Sequence, residues 1–145
     1  MKINKFFALI IVSIFFINCN KKCFNEAGIE IPQSFFDYPS NSKRDICKIL
    51  KLAISGDSLG LIEFINIDDL NGEASYNQGV ILVKIIKHLG EDQFLKTLNS
   101  SSKIVKVHVF ELIEIGLMYY DFNNVQSSVN IALEFPIIYN TWRIK

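Results

Sequence analysis

Apolar residues recur every three or four positions from residue 42 onward, and glycines interrupt the pattern at intervals. In the first stretch, Ile46, Ile49 and Leu50 share one helical face, and the pattern stops at Gly56. This spacing places an apolar stripe along an α-helix, and glycine readily adopts the left-handed conformation in which helices end. The chain is therefore constrained to short helices that bury their stripes against one another.

The same pattern predicts further helices along the chain. Ser42 is the predicted N-cap of the first helix and Asp57 that of the second, because both side chains can accept a hydrogen bond from free backbone N–H groups. A third helix is predicted over residues 73–89 and ends at Gly90. A short helix follows from residue 91, and a long one is predicted over residues 103–120.

Two segments allow a second interpretation. The β-branched residues at 104–109 also suit a strand, although the helical period continues to residue 120. Residues 127–135 alternate between apolar and polar in part, which is typical of a strand. Helix is favoured in both, because a single strand has nothing to pair with. Pro136 ends that element or opens the next one, and Trp142 is expected to pack back onto the domain.

Together these elements predict an all-α domain of five or six short antiparallel helices. Residues 52–57 and 61–65 resemble the helix–turn–helix half of an ankyrin-like repeat. The resemblance covers about 15 residues and does not recur at a period of about 33 residues. A solenoid-like arrangement is one form that the predicted domain can take.

The N-terminus has a different pattern. Lys2 and Lys5 precede an uninterrupted run at residues 6–17 that is apolar except for Ser13. As a helix this run would rise about 18 Å, whereas the hydrocarbon core of a bilayer is about 30 Å thick. The segment therefore suits the apolar region of a signal peptide better than a permanent membrane span.

Phe16, Ile17, Asn18 and Cys19 end this run and resemble a lipobox, the motif at which bacterial lipoproteins are lipidated and cleaved. The resemblance implies that Cys19 carries a diacylglyceryl group and becomes the first residue of the mature protein. Asn18 departs from the pattern, which usually has Gly, Ala or Ser before the cysteine. An uncleaved anchor and cleavage at another position are the competing interpretations.

The predicted organisation has three parts: a signal peptide at residues 1–18, a lipidated cysteine with a flexible tether at 19–41, and one helical domain at 42–145. Phe35 and Phe36 are expected to dock the tether onto the domain. Cys23 and Cys47 either form a disulfide, which an oxidising compartment permits, or leave Cys47 as a buried free thiol.

Composition and charge exclude several classes of function. The 15 basic residues less Lys2 and Lys5 leave 13, against 15 acidic residues, so the mature part carries a charge of −2. A nucleic-acid-binding protein normally shows a clustered basic excess, so no nucleic-acid partner is predicted. No Gly-rich phosphate loop and no cysteine or histidine cluster with metal-ligand spacing is present, so neither a cofactor nor a metal site is predicted.

The carboxylates suggest two further arrangements, a catalytic site and a calcium-binding loop. Glu111 and Glu114 lie three residues apart on the fifth predicted helix, close to His108, and could form the site of a small hydrolase. The acidic turn at residues 68–73 contains Gly72 and resembles a calcium-binding loop, but Ile67 occupies the position five residues before Gly72 where an Asp is required. A turn that caps the next helix explains it better, and the chain is predicted not to be an enzyme.

The leading prediction is a lipid-anchored, non-enzymatic helical module that binds a protein in the bacterial envelope. Residues 90–95 and 115–120 are similar to stretches of small helical immunity lipoproteins, which neutralise a toxin delivered to the periplasm. This resemblance implies toxin contacts at an acidic turn and at a tyrosine corner: Asp68, Asp69, Glu73, Tyr119, Tyr120 and Asp121. The alternatives are a structural or accessory lipoprotein of a larger envelope complex and, less favoured, the small hydrolase.

Overall fold

The computed structural model describes residues 27–36, 45–67, 72–120 and 130–142. Of these residues 78% are helical and none is in a strand, so the predicted all-α class is confirmed and the strand interpretation of residues 104–109 is wrong. The described residues form eight helices rather than five or six. They are α1 (Gln33–Phe36), α2 (Ile46–Ile54), α3 (Ser58–Ile65), α4 (Glu73–Leu89), α5 (Glu91–Thr97), α6 (Lys103–Tyr120), α7 (Ile131–Glu134) and α8 (Pro136–Trp142).

The extra helices have local causes. Pro136 lacks a backbone N–H and disfavours the helical conformation at the residue before it. Phe135 is accordingly not helical (φ −132°, ψ 67°), so that the C-terminal segment is split into α7 and α8. The four-residue α1 lies in the segment predicted as a tether, where Phe35 N donates to the carbonyl of Pro32 over 3.1 Å.

The helix boundaries agree with the sequence in most places. Asp57 caps α3 by accepting from Gly60 N over 2.8 Å, and Gly56 and Gly90 end α2 and α4 with φ of +78°. The predicted cap of α2 at Ser42 is wrong. Asp45 takes that role and accepts from Lys48 N over 3.2 Å, because the helix begins at Ile46, three residues later than predicted.

One continuous core holds the helices together. Its largest fully buried side chains include Phe35, Phe64 and Phe94, and Phe35 lies 6.3 Å from Phe64 between ring centroids. Ile29 and Phe35 therefore belong to the core. The burial of Phe35 agrees with its expected docking onto the domain. The domain boundary at residue 42 stays a prediction.

The helix α8 also packs against the core. Trp142 is buried and lies 6.1 Å from Phe94 of α5 between ring centroids, which confirms that it packs back onto the domain. Ile138 N donates to the Glu91 carboxylate over 2.7 Å and so fixes α8 to the start of α5. Within the described ranges, no helix is long and apolar enough to cross a membrane.

The helices α4 and α6 are the two longest and form the most extensive helix pair of the domain. They touch at Gly79 and Gly116, where backbone meets backbone. A Cβ atom on Gly79 would lie 2.6 Å from the carbonyl oxygen of Leu112, and one on Gly116 would overlap the carbonyl of Gly79. Only glycine permits this approach, which sets the position of every side chain that α4 and α6 carry.

Candidate partner-binding surface

The structure describes three of the six residues predicted for partner contact. Glu73 begins α4, and Tyr119 and Tyr120 end α6. Asp68, Asp69 and Asp121 lie outside the described residues, as does the predicted lipidation site Cys19.

A pair of stacked tyrosines lies between α4 and α6. The rings of Tyr76 and Tyr119 have centroids 4.1 Å apart and planes inclined by 16°. Tyr76 is 39% exposed and Tyr120, next to the pair in sequence, is 40% exposed. We refer to Tyr76, Tyr119 and Tyr120 as the tyrosine surface.

The hydroxyl groups of the stacked pair interact as well as the rings. A hydrogen bond with the Tyr76 side chain, followed by partial burial and the charge of a Tyr76 phenolate, raises the pKa of Tyr119 above that of a free tyrosine. The Tyr119 phenol is therefore protonated at neutral pH, and the stacked pair presents hydroxyl groups that can donate or accept hydrogen bonds.

A polar network fixes Glu73 beside this pair. Ser34 Oγ of α1 donates to Glu73 Oε1 over 2.7 Å and accepts from Asn77 Nδ2 over 3.0 Å. Glu73, Tyr76 and Asn77 are three and four residues apart, so they share one face of α4. The carboxylate of Glu73 thus has a defined position while its residue remains exposed.

Tyr120 carries a cation on its ring. Lys87 Nζ lies 4.3 Å from the ring centroid and also forms an ion pair with Glu134 Oε1 of α7 over 2.6 Å. The electron-rich face of a tyrosine attracts an ammonium or guanidinium group, and a nearby carboxylate strengthens the site. The contact between Lys87 and Tyr120 is thus an example, within this domain, of a tyrosine ring that binds a basic side chain.

The close contact of α4 and α6 explains why the tyrosines meet. Tyr76 lies three residues before Gly79, and Tyr119 lies three residues after Gly116. Larger residues at the two glycines would separate the helices and pull the rings apart. The tyrosine surface is therefore built on rigid, packed helices, which lowers the entropy lost when a partner binds.

Sequence reasoning missed Tyr76 of the tyrosine surface and the Lys87–Glu134 ion pair, whose lysine lies over the Tyr120 ring. A signal for Tyr76 was available, since Glu73, Tyr76 and Asn77 form a polar face at helical spacing. No such signal existed for Lys87 and Glu134, because their contact joins residues 47 positions apart and depends on how α7 folds back.

Glu111 and Glu114, the carboxylates of the alternative hydrolase prediction, lie on the surface of α6. His108 Nδ1 is 3.3 Å from Glu111 Oε2, and both Glu111 and Glu114 are exposed. Because His108 and Glu111 are three residues apart on one helix, helical spacing alone accounts for their contact. Among the described residues, no group of three or more His, Cys, Asp or Glu side chains could hold a metal ion.

Cys47 of α2 is disulfide-bonded, so the interpretation of a buried free thiol is wrong. The chain's other two cysteines, Cys19 and Cys23, lie outside the described residues. Pairing of Cys47 with Cys23 stays a prediction.

Comparison of the chain with known protein families, with curated proteins and with solved structures gave no match.

Proposed function

We propose that the protein is a lipid-anchored, non-enzymatic module that binds a partner protein in the bacterial envelope. The observation that carries this proposal is the tyrosine surface with its fixed carboxylate, Glu73. Tyrosine is enriched in binding hot spots, because it offers a large contact area and a polar hydroxyl while losing little conformational entropy.

The bond at Cys47 supports a location outside the cytoplasm. Disulfides persist in oxidising compartments such as the bacterial periplasm and are rare in the cytosol. Export agrees with the apolar run at residues 6–17 and with the lipobox resemblance at Cys19. If Cys19 carries lipid, its thiol is consumed, and Cys23 becomes the only partner for Cys47.

In its finer form the proposal is an immunity protein that neutralises a toxin acting in the periplasm. Such a protein needs a rigid, exposed surface that can cover part of a toxin, and the packed helices α4 and α6 provide a rigid base. The antiparallel, solenoid-like helix arrangement expected from the sequence belongs to this proposal too.

Partner binding is tested by affinity isolation of the full chain from native membranes, with quantitative mass spectrometry. The wild type is compared with Tyr119→Ala/Tyr120→Ala and with Leu59→Ala, a matched truncation on α3 of a side chain that is 76% exposed. We expect one protein to be enriched by the wild type and by Leu59→Ala. A hot spot of about 2 kcal/mol predicts roughly thirtyfold weaker binding by the double variant.

A second variant protects this test against misfolding. Glu73→Lys reverses an exposed charge beside the tyrosines without removing a packed side chain, and it should also lose the partner. Equal recovery by all variants would contradict the proposal. Recovery of a stable assembly of many subunits, independent of the tyrosines, would favour an accessory lipoprotein instead.

The lipid anchor is tested separately. Metabolic labelling with a fatty acid should mark the wild type and Cys23→Ser but not Cys19→Ser. A labelled Cys19→Ser protein would refute lipidation at this position, whatever the outcome of the partner experiment.

A further inference from the structure

The outward face of α6 carries several exposed apolar side chains. The helix buries Val109, Leu112, Ile113 and Gly116. At 3.6 residues per turn, residues 103, 104, 107, 111, 114 and 118 lie within about 50° of the opposite direction. Three of these six residues are apolar: Ile104, Val107 and Met118.

Exposure shows that the described part of the domain does not cover this apolar face. Ile104 is 80% exposed and Met118 is 57% exposed, and Val107 is also exposed. Isolated apolar side chains are common on protein surfaces, but a row of them along one helix face is typical of an interaction site. The row runs from residue 104 to residue 118, a rise of about 21 Å along the helix axis.

Two carboxylates interrupt the row at its centre. Glu111 and Glu114 are exposed. Glu111 Oε2 lies 3.3 Å from Nδ1 of the neighbouring His108, and within the described part of the chain no lysine or arginine is ion-paired with either carboxylate. Lys106, on the same helix, donates to the carbonyl of Asn99 over 3.2 Å and lies over the Trp142 ring. The face thus has apolar ends and an acidic middle.

We infer that this outward face of α6 docks an amphipathic helix of a partner protein, with lysine or arginine side chains opposite Glu111 and Glu114. The spacing of 104, 107, 111, 114 and 118 follows the three-and-four alternation with which helices pack side by side. Apolar residues of the partner would cover Ile104, Val107 and Met118, and its basic residues would pair with the acidic middle.

Charge complementarity selects this occupant over a second copy of the chain. Two α6 helices packed in register through this face, with residue 111 opposite residue 111 or 114, would bring the carboxylates of Glu111 and Glu114 together. Facing like charges disfavour such pairing. The inference rests on the proposed function, since it gives the chemistry of a protein partner, but it concerns a face different from the tyrosine surface.

Synthetic helical peptides test the inference with the purified full chain. One peptide carries leucines spaced to face residues 104, 107 and 118 and lysines opposite the carboxylates, and the other has glutamates in place of the lysines. Fluorescence anisotropy should show that the basic peptide binds at least tenfold more tightly than the acidic one. Glu111→Lys/Glu114→Lys should reverse this preference, and Met118→Lys should weaken binding of the basic peptide at least tenfold.

Two controls make the result specific. Glu63→Lys, an exposed charge reversal on α3, should leave the peptide preference unchanged. Tyr119→Ala/Tyr120→Ala should also retain it, so that failure of the tyrosine surface and failure of this inference are distinguishable. Equal binding of the two peptides, or no reversal in the double lysine variant, would overturn the inference. A wild-type dimer that Met118→Lys makes monomeric would overturn it in favour of a second copy.

Discussion

Replacement of Gly116 by alanine tests the close contact on which the tyrosine surface depends. The new methyl group would overlap the carbonyl of Gly79 and lie 2.7 Å from Val83 Cγ2. A flexible side chain could turn away from such a clash, but the backbone of Gly79 belongs to the middle of α4. The two helices must therefore separate, along the most extensive helix contact of the domain.

Two opposing effects set the magnitude. Alanine favours a helix over glycine by about 1 kcal/mol, which would stabilise the variant if there were room. Overpacking of a well-packed interior typically destabilises by about 1–3 kcal/mol, and by more where backbone must move. We expect a net loss of about 2 kcal/mol in the free energy of unfolding, which in a domain of this size lowers Tm by roughly 10 °C.

Thermal and urea unfolding followed by circular dichroism measure this loss. Met118→Ala on the exposed face of α6 is the matched control and should change stability by less than about 0.5 kcal/mol. In a double-mutant cycle, the loss of stability in Gly116→Ala/Gly79→Ala should be smaller than the sum of the losses in the two single variants, because the first alanine already separates the helices. A Gly116→Ala protein as stable as the wild type would refute the backbone contact.

Three further predictions concern other parts of the domain. Phe35→Ala should lower the free energy of unfolding by about 3–5 kcal/mol in urea unfolding, because its ring is fully buried against Phe64. A loss below about 1 kcal/mol would show that residues 29–36 are not part of the folded core. Gln78→Met should cost about 1–2 kcal/mol by the same assay, since the buried amide donates to the carbonyl of Phe64 over 2.9 Å, whereas Gln93→Met, an exposed glutamine on α5, should have little effect. Phenolate absorbance should show Tyr119 titrating at higher pH than a free tyrosine, and Tyr76→Phe should reduce that shift, because it removes the hydrogen bond and the Tyr76 charge but leaves the effect of burial. Because the pKa of Tyr119 is higher in the folded than in the unfolded protein, its contribution to stability is fully present below about pH 10 and is lost as the pH rises through the folded pKa. A Tyr119 titration that Tyr76→Phe leaves unchanged would contradict the interaction between the two tyrosines.

Local chemistry explains which parts of the fold could be predicted from the sequence. The bounds of α4 followed from its apolar stripe and from Gly90, and the start of α3 followed from Asp57. These signals act over one or two turns and need no knowledge of the rest of the chain. The split at Pro136 was also local, although the sequence left open whether that proline ended an element or began one.

The remaining features depend on contacts between distant residues. Tyr119 was predicted as a contact residue, but its stacking on Tyr76 follows from the approach of two backbones at Gly79 and Gly116. A glycine within a helix can equally be a weak point, so its presence alone did not predict a contact. The role of Asp45 as cap of α2 was missed because Ser42 was an equally good residue for that role three positions earlier.

Burial of Ile29 limits how far the domain can stand from its anchor. If Cys19 carries the lipid and Cys23 pairs with Cys47, as we propose, the free tether is only four residue steps long. Even without that disulfide, only ten residue steps separate the acylated cysteine from Ile29, the first core residue among the described ones. A fully extended chain covers at most about 3.6 Å per residue, so these steps reach about 35 Å, less than half of what a tether ending at residue 42 would allow. The domain is then confined to a layer near the bilayer, comparable in depth to its own diameter, where it can meet a toxin or other partner only close to the membrane surface.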